Sequence, residues 1–188
     1  NDNEYTTYNC RFAIFATGGI GRVYEYTTNS AIATGDGITI AHELGAEIKN
    51  LSYIQFHPTG FNNKHTRETF LISESVRGEG AYLKNCNGER FMQNYDDRLE
   101  LAPRDVVSHA IMAEAKKTGS DKFYLDITHK DPEFVRNRFP MINEKLLEAG
   151  YDMTKDMIPI FPCHHYLMGG INVDTYATVS YTHLTLPT

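Results

Sequence analysis

Two stretches of this chain concentrate side chains able to hold an anion or move a proton. One runs from His57-Pro58-Thr59 through Ser73-Glu74 and Arg77 to Arg104; the other is Cys163-His164-His165-Tyr166. Glu74 and Arg77 lie three residues apart, so on a helical turn they share a face and can pair. Arg104 follows Pro103, a residue suited to the first turn of a helix. The helix dipole favours an anion there, and a cation costs about a few tenths of a kcal/mol. Either Asp105 compensates that charge, or Arg104 faces a carboxylate belonging to a substrate or a relay. Cys163, His164 and His165 invite a metal. Neighbours on a strand point to opposite faces, however, and no HExxH or His-x-His motif accompanies them. No metal site is predicted. His129 follows a strand and is a weaker candidate, while His42, His65 and His109 read as surface or helix-face residues.

Glycines supply the second kind of chemistry. Thr17-Gly18-Gly19 and Gly35-Asp36-Gly37 each follow a strand or precede a helix. Glycine lets backbone approach a flat or anionic ligand closely, and a helix start offers N–H donors. Asp36 between two glycines can accept a bond from a ribose or ribityl hydroxyl. Two ordinary tight turns would give the same pattern, so the glycines alone leave both readings open.

The elements that must position these residues are legible in outline. Arg11 to Ala16 reads as a strand stopped by the first glycine turn, and Ile38 to Leu44 as a helix ended by Gly45. Ala46 to Phe56 alternates as a strand, with His57-Pro58-Thr59-Gly60 expected to break it. Asn62 to Thr69 is a polar loop, and Phe70 to Val76 holds a short helix or turn. Residues 81–92 have the form of a hairpin turning at Asn87-Gly88. Pro103 opens a helix to about Lys117, Phe123 to Ile127 is a strand, and Asp131-Pro132 starts a helix interrupted at Pro140 and resuming to Gly150.

Composition sets the class. The chain has 188 residues, 41% hydrophobic and 22% charged, an ordinary globular balance of one domain or one and a half. Its 18 basic and 24 acidic residues give a net charge of −6, which argues against tracking nucleic-acid phosphates. No apolar run reaches the ~20 residues of a membrane helix. Three separated cysteines, Cys10, Cys86 and Cys163, fit a reducing, cytoplasmic setting without a disulfide framework. The start lacks Met, a basic leader and an apolar leader, as expected of a piece taken from inside a longer protein. Val179 to Thr188 (VSYTHLTLPT) reads as the translation of a sequencing-library adapter, so that tail and His183 are set aside as a scar.

The motifs together resemble one family. ATGGIGRVYEYTTN, ATGDG, QFHPTG, SESVRGEGAYLKNCNGERFM, ELAPRDVV and HHYLMGG stand in the order and spacing of the succinate dehydrogenase, fumarate reductase and L-aspartate oxidase flavoproteins. The resemblance covers about residues 11–174, and FLISESVRGEGA, LAPRDVV and FYLDITHK look most like the L-aspartate oxidase branch. It implies an α/β fragment, with an α+β capping domain (51–165) inserted in a Rossmann-like FAD-binding domain (1–50, returning over 166–178). It implies non-covalent FAD against Thr17, Gly18, Gly19 and Asp36. His57, Ser73, Glu74 and His165 would bind a dicarboxylate, L-aspartate or fumarate, and Arg104, Glu74 and Arg77 would form the catalytic proton relay. The implied activity is oxidation of L-aspartate to iminoaspartate with oxygen or fumarate as acceptor, the opening step of NAD biosynthesis, with a functional link to quinolinate synthase. A fumarate reductase or succinate dehydrogenase flavoprotein is the same-class alternative; a non-catalytic ligand-binding or interaction module is the other. The N-terminal GxGxxG region, distal FAD residues and a second substrate arginine are missing. The isolated segment is therefore expected to be colourless and inactive.

Overall fold

Four antiparallel strands carry the two candidate histidines, His57 and His165. A computed structural model describes residues 6–62 and 67–179; His65, His183 and all of the expected scar except Val179 lie outside them. The sheet is ordered β2 (Ile54–Phe61), β5 (Ile158–Leu167), β4 (Phe123–Asp126), β3 (Tyr82–Lys84). A two-stranded ribbon joins β1 (Ile48–Lys49) to β6 (Gly170–Ile171). Among the described residues every pair of these strands is antiparallel. The parallel sheet expected of a Rossmann-like unit is thus not seen in them, whereas mixed helix and sheet is.

One long helix, α3 (Arg104–Thr118), packs on β2 and β5 and closes the core. Its buried positions Val107, Ala110, Ile111 and Glu114 follow helical spacing on one face. Leu83, Phe91, Met92, Phe123, Ile160 and Leu146 complete the apolar interior. The buried Glu114 is acceptable there because Asn85 Nδ2 and the Tyr95 hydroxyl both donate to it, at 3.0 and 2.7 Å. Burial, with that carboxylate beside it, pushes the Tyr95 phenol up to about 12. The helix stops at Gly119, whose φ of 65° is the left-handed turn expected of it.

The remaining helices are α1 (Asp36–Glu43), α2 (Glu74–Gly78), α4 (Pro132–Arg138) and α5 (Pro140–Glu148). Asp131 caps α4 by accepting the Phe134 N–H at 2.8 Å, and Pro140 opens α5, as their sequence signals predict.

Several expected elements differ, each for a physical reason. Arg11 to Ala16 is irregular, with Phe12, Ile14 and Phe15 exposed. A strand needs a ladder partner, and among the described residues none lies beside it. The strand over 46–56 is split by a turn at Asn50–Ser52, where Asn50 takes φ 57°. The hairpin over 81–92 keeps its turn, but β3 pairs with β4, and the return leg is a single bridge from Lys84 to Arg90. The short helix begins at Glu74, later than Phe70. Most consequential, β2 is not broken at Pro58. It runs on to Phe61, with the register shifting between His57 and Gly60. Proline cannot donate to a ladder, and a bulge is where a strand tolerates it.

Candidate active site

The bulge sets up the first imidazole. Freed from the ladder, the Thr59 N–H turns back to His57 Nδ1 at 3.3 Å, while the Thr59 hydroxyl donates to the Ile72 carbonyl at 2.8 Å. With Nδ1 accepting, the proton of a neutral His57 sits on Nε2. Burial, followed by Arg104, His165 and Arg77, lowers its pKa to about 3.

His57 is paired with Cys163 across β2 and β5, and its ring meets His165 edge-on at 5.4 Å between centroids. His164 and His165 point to opposite faces, as alternation predicts. His164 is fully buried under Tyr24, stacked at 4.5 Å, while His165 is only partly covered. Burial and then Arg104 lower the His165 pKa as well.

Opposite these rings lies a chain of charges. Arg104 Nε donates to Glu74 Oε2 at 2.7 Å, and Arg104 Nη1 to Gln55 Oε1 at 3.1 Å. The second Glu74 oxygen is 3.3 Å from Arg77 Nη2. The partners of Arg104 are thus Glu74 and Gln55, on two other elements, in place of the neighbouring Asp105. Arg77 is only 1% exposed. Its Nη1 donates to the Glu100 carbonyl, but Nε and Nη2 have no hydrogen-bond partner. Burial lowers the Arg77 pKa, and Glu74 opposes that shift. Ser73 caps α2, its Oγ accepting the Ser75 N–H at 3.3 Å.

One consequence is a pH-dependent stability. The folded state holds His57 neutral down to about pH 3, whereas an unfolded histidine takes a proton near pH 6.5. Across that window the unfolded chain binds the extra proton, so stability falls as pH falls, by up to about 1.4 kcal/mol per pH unit. Urea unfolding at pH 6.5 and 5, above the main carboxylate range, should show this loss, and His57→Phe should lessen it. An equally steep loss in His57→Phe would assign the effect elsewhere.

Thr17, Gly18 and Gly19 line a groove of about 790 Å³ whose other wall includes Ser30, Ile38 and Gly169. His165 and Tyr166 also line it, so the groove adjoins the histidine pair. Asp36 is the exposed first residue of α1 and is not on that wall.

Residues 1–186 match the family described as FAD binding domain. The chain belongs to the FAD-binding domain family. Curated proteins similar to it include the L-aspartate oxidase of Yersinia pestis, 51% identical over 90% of this chain and 32% of that protein. The L-aspartate oxidase of Clostridium perfringens is 48% identical over 97% of this chain and 40% of that protein. Among solved structures, E. coli quinol fumarate reductase superposes with a TM-score of 0.79 at 37% identity, over 87% of this chain and 31% of that one. Mycobacterium smegmatis Sdh1 does so with 0.70 at 41%, over 85% and 27%. The chain spans about a third of the length of the curated relatives it matches. FAD is the cofactor of this family domain, and the groove fits part of it. Its glycine wall lets a flat ligand approach backbone, since a Cβ at Gly18 or Gly19 would meet nothing there.

The structure brings together His57, Glu74, Arg77, Arg104 and His165, which lie up to 108 positions apart in the chain. Sequence reasoning assigned no role to Gln55, to Thr59, or to Thr28, whose hydroxyl lies 2.7 Å from His165 Nδ1. The QFHPTG motif contains the first two and ATGGIGRVYEYTTN contains Thr28, but neither motif marks these side chains by itself.

Proposed function

We propose that the polypeptide containing this segment is an L-aspartate oxidase that converts L-aspartate to iminoaspartate. The observation that carries this reading is one carboxylate, Glu74, bridging Arg104 and Arg77 beside two imidazoles held neutral. Its support from relatives is that those named L-aspartate oxidase are 44–51% identical, against 37–41% for fumarate reductase and Sdh1.

The residues divide the work. His57 and His165 donate N–H bonds to a substrate carboxylate, and Arg104 adds the positive charge that a dicarboxylate requires. Such a grip fixes the reacting carbon in place, and positioning supplies much of the rate. A guanidinium holds its proton throughout the ordinary pH range. Arg104 can therefore take the proton released at the substrate only while giving its own Nε proton to Glu74, which accepts from it at 2.7 Å, and Arg77 stands as the second cation beside that carboxylate. Thr17, Gly18 and Gly19 hold FAD non-covalently, with Asp36 at the helix start beside them. When bound, FAD would supply the two-electron acceptor, with oxygen or fumarate as the final oxidant. In this reading residues 51–165 cap a FAD-binding unit made of 1–50 and 166–178, Ser73 joins the substrate site, and the protein is cytoplasmic. Iminoaspartate then feeds quinolinate synthase.

Anaerobic mixing of the full-length protein with L-aspartate or succinate tests this. L-aspartate should bleach the flavin and acid precipitation should release it. Bleaching by succinate alone, or flavin retained on the polypeptide, would support the fumarate reductase or succinate dehydrogenase reading instead.

A further inference from the structure

The segment Tyr26–Asn29 runs beside β5 and grips both histidines from behind. The His164 N–H donates to the Tyr26 carbonyl at 3.0 Å, and the Thr28 N–H to the His164 carbonyl at 2.9 Å. Asn29 Nδ2 donates to the His165 carbonyl at 2.9 Å. Thr27 Oγ1 lies 3.1 Å from His164 Nδ1, and Thr28 Oγ1 lies 2.7 Å from His165 Nδ1. Thr28 and Asn29 also help to line a second pocket of about 590 Å³ that His165 enters.

We propose that Thr28 is a positioning residue: its hydroxyl donates to His165 Nδ1, fixes the tautomer protonated at Nε2, and aims that N–H at the substrate carboxylate. This rests on the dicarboxylate site proposed above. A hydroxyl has one proton to give. Its other acceptor within reach, the His164 carbonyl, is at 3.4 Å, too long to compete with a 2.7 Å contact. A neutral imidazole carries one N–H, so an accepting Nδ1 leaves the proton on Nε2. Arg104 acts on His165 as a cation that disfavours a second proton on the ring. His57 reaches the same tautomer by another route, through the Thr59 backbone N–H. Two threonines on separate segments thereby give the pair matching donors.

The test uses the full-length, FAD-loaded protein with Thr28→Val and Thr28→Ser. Thr28→Val should raise KM for the dicarboxylate about 10-fold, with a smaller change in kcat, while Thr28→Ser stays within about 2-fold of the parent. Imidazole 15N NMR, with His165 assigned through its loss in His165→Asn, should show Nε2 protonated in the parent and in Thr28→Ser. In Thr28→Val the two tautomers should mix. A parent His165 protonated at Nδ1 overturns the proposal whether or not any variant folds. So does an unchanged KM and spectrum in Thr28→Val. The NMR pattern is read without turnover, so it separates this inference from the functional one: a protein that ignores L-aspartate but shows the Nε2 tautomer loses only the latter.

Discussion

Arg104→Gln lowers the turnover of the full-length, FAD-loaded protein on its dicarboxylate by ~10³-fold and raises KM far less. Glutamine keeps a neutral donor near Gln55 but carries no charge and cannot cycle a proton with Glu74, now 2.7 Å from the guanidinium. A positioned acid–base group contributes about 10²- to 10⁴-fold, and His57 and His165 remain to hold the carboxylates. The folded state should hardly notice. Arg104 and Glu74 are 32% and 46% exposed in their side chains, and ion pairs in contact with water contribute little to stability. Arg104→Lys should restore only part of the rate, because lysine lacks the fork that meets Glu74 and Gln55 together. Steady-state kinetics beside a thermal melt would check this. A rate loss below 10-fold, or one that tracks a lowered Tm, would remove Arg104 from the chemistry.

The second large effect is steric. Gly37→Ala should strip flavin from the purified protein, weakening FAD binding by about 100-fold. A Cβ built at position 37 would stand 1.7 Å from Thr17 Oγ1 and 2.5 Å from Thr17 Cβ. Rotating the threonine moves its hydroxyl but not its Cβ, so the Thr17-Gly18-Gly19 loop itself has to shift. That loop is the wall of the groove, and overpacking at such a contact typically costs about 1–3 kcal/mol. Pairing Gly37→Ala with Thr17→Gly removes the opposing side chain and should recover part of the flavin, measured by absorbance and by titration of the apoprotein. Full flavin occupancy in Gly37→Ala alone would show that the two loops do not need their close fit.

Local signals in the chain determined a good deal. The caps and stops of α1, α3, α4 and α5 lie within a few residues of Gly35, Pro103, Asp131, Pro140 and Gly150, and their physics is confined to neighbours. Motif order was enough to group His57, Glu74, Arg77, Arg104 and His165. Tertiary structure decided what no window of sequence contains. Arg11 to Ala16 has strand propensity, but propensity forms no ladder without a neighbour. Pro58 does break backbone pairing, yet β5 holds β2 on both sides of it, so the break becomes a bulge whose freed N–H sets His57. Arg104 neutralises its helix-end charge on Glu74, 30 positions away, and Thr28 reaches His165 across 137. Caps and turns depend on residues adjacent in the chain; tautomers, counter-charges and burial depend on residues adjacent in space, which only the folded chain brings together.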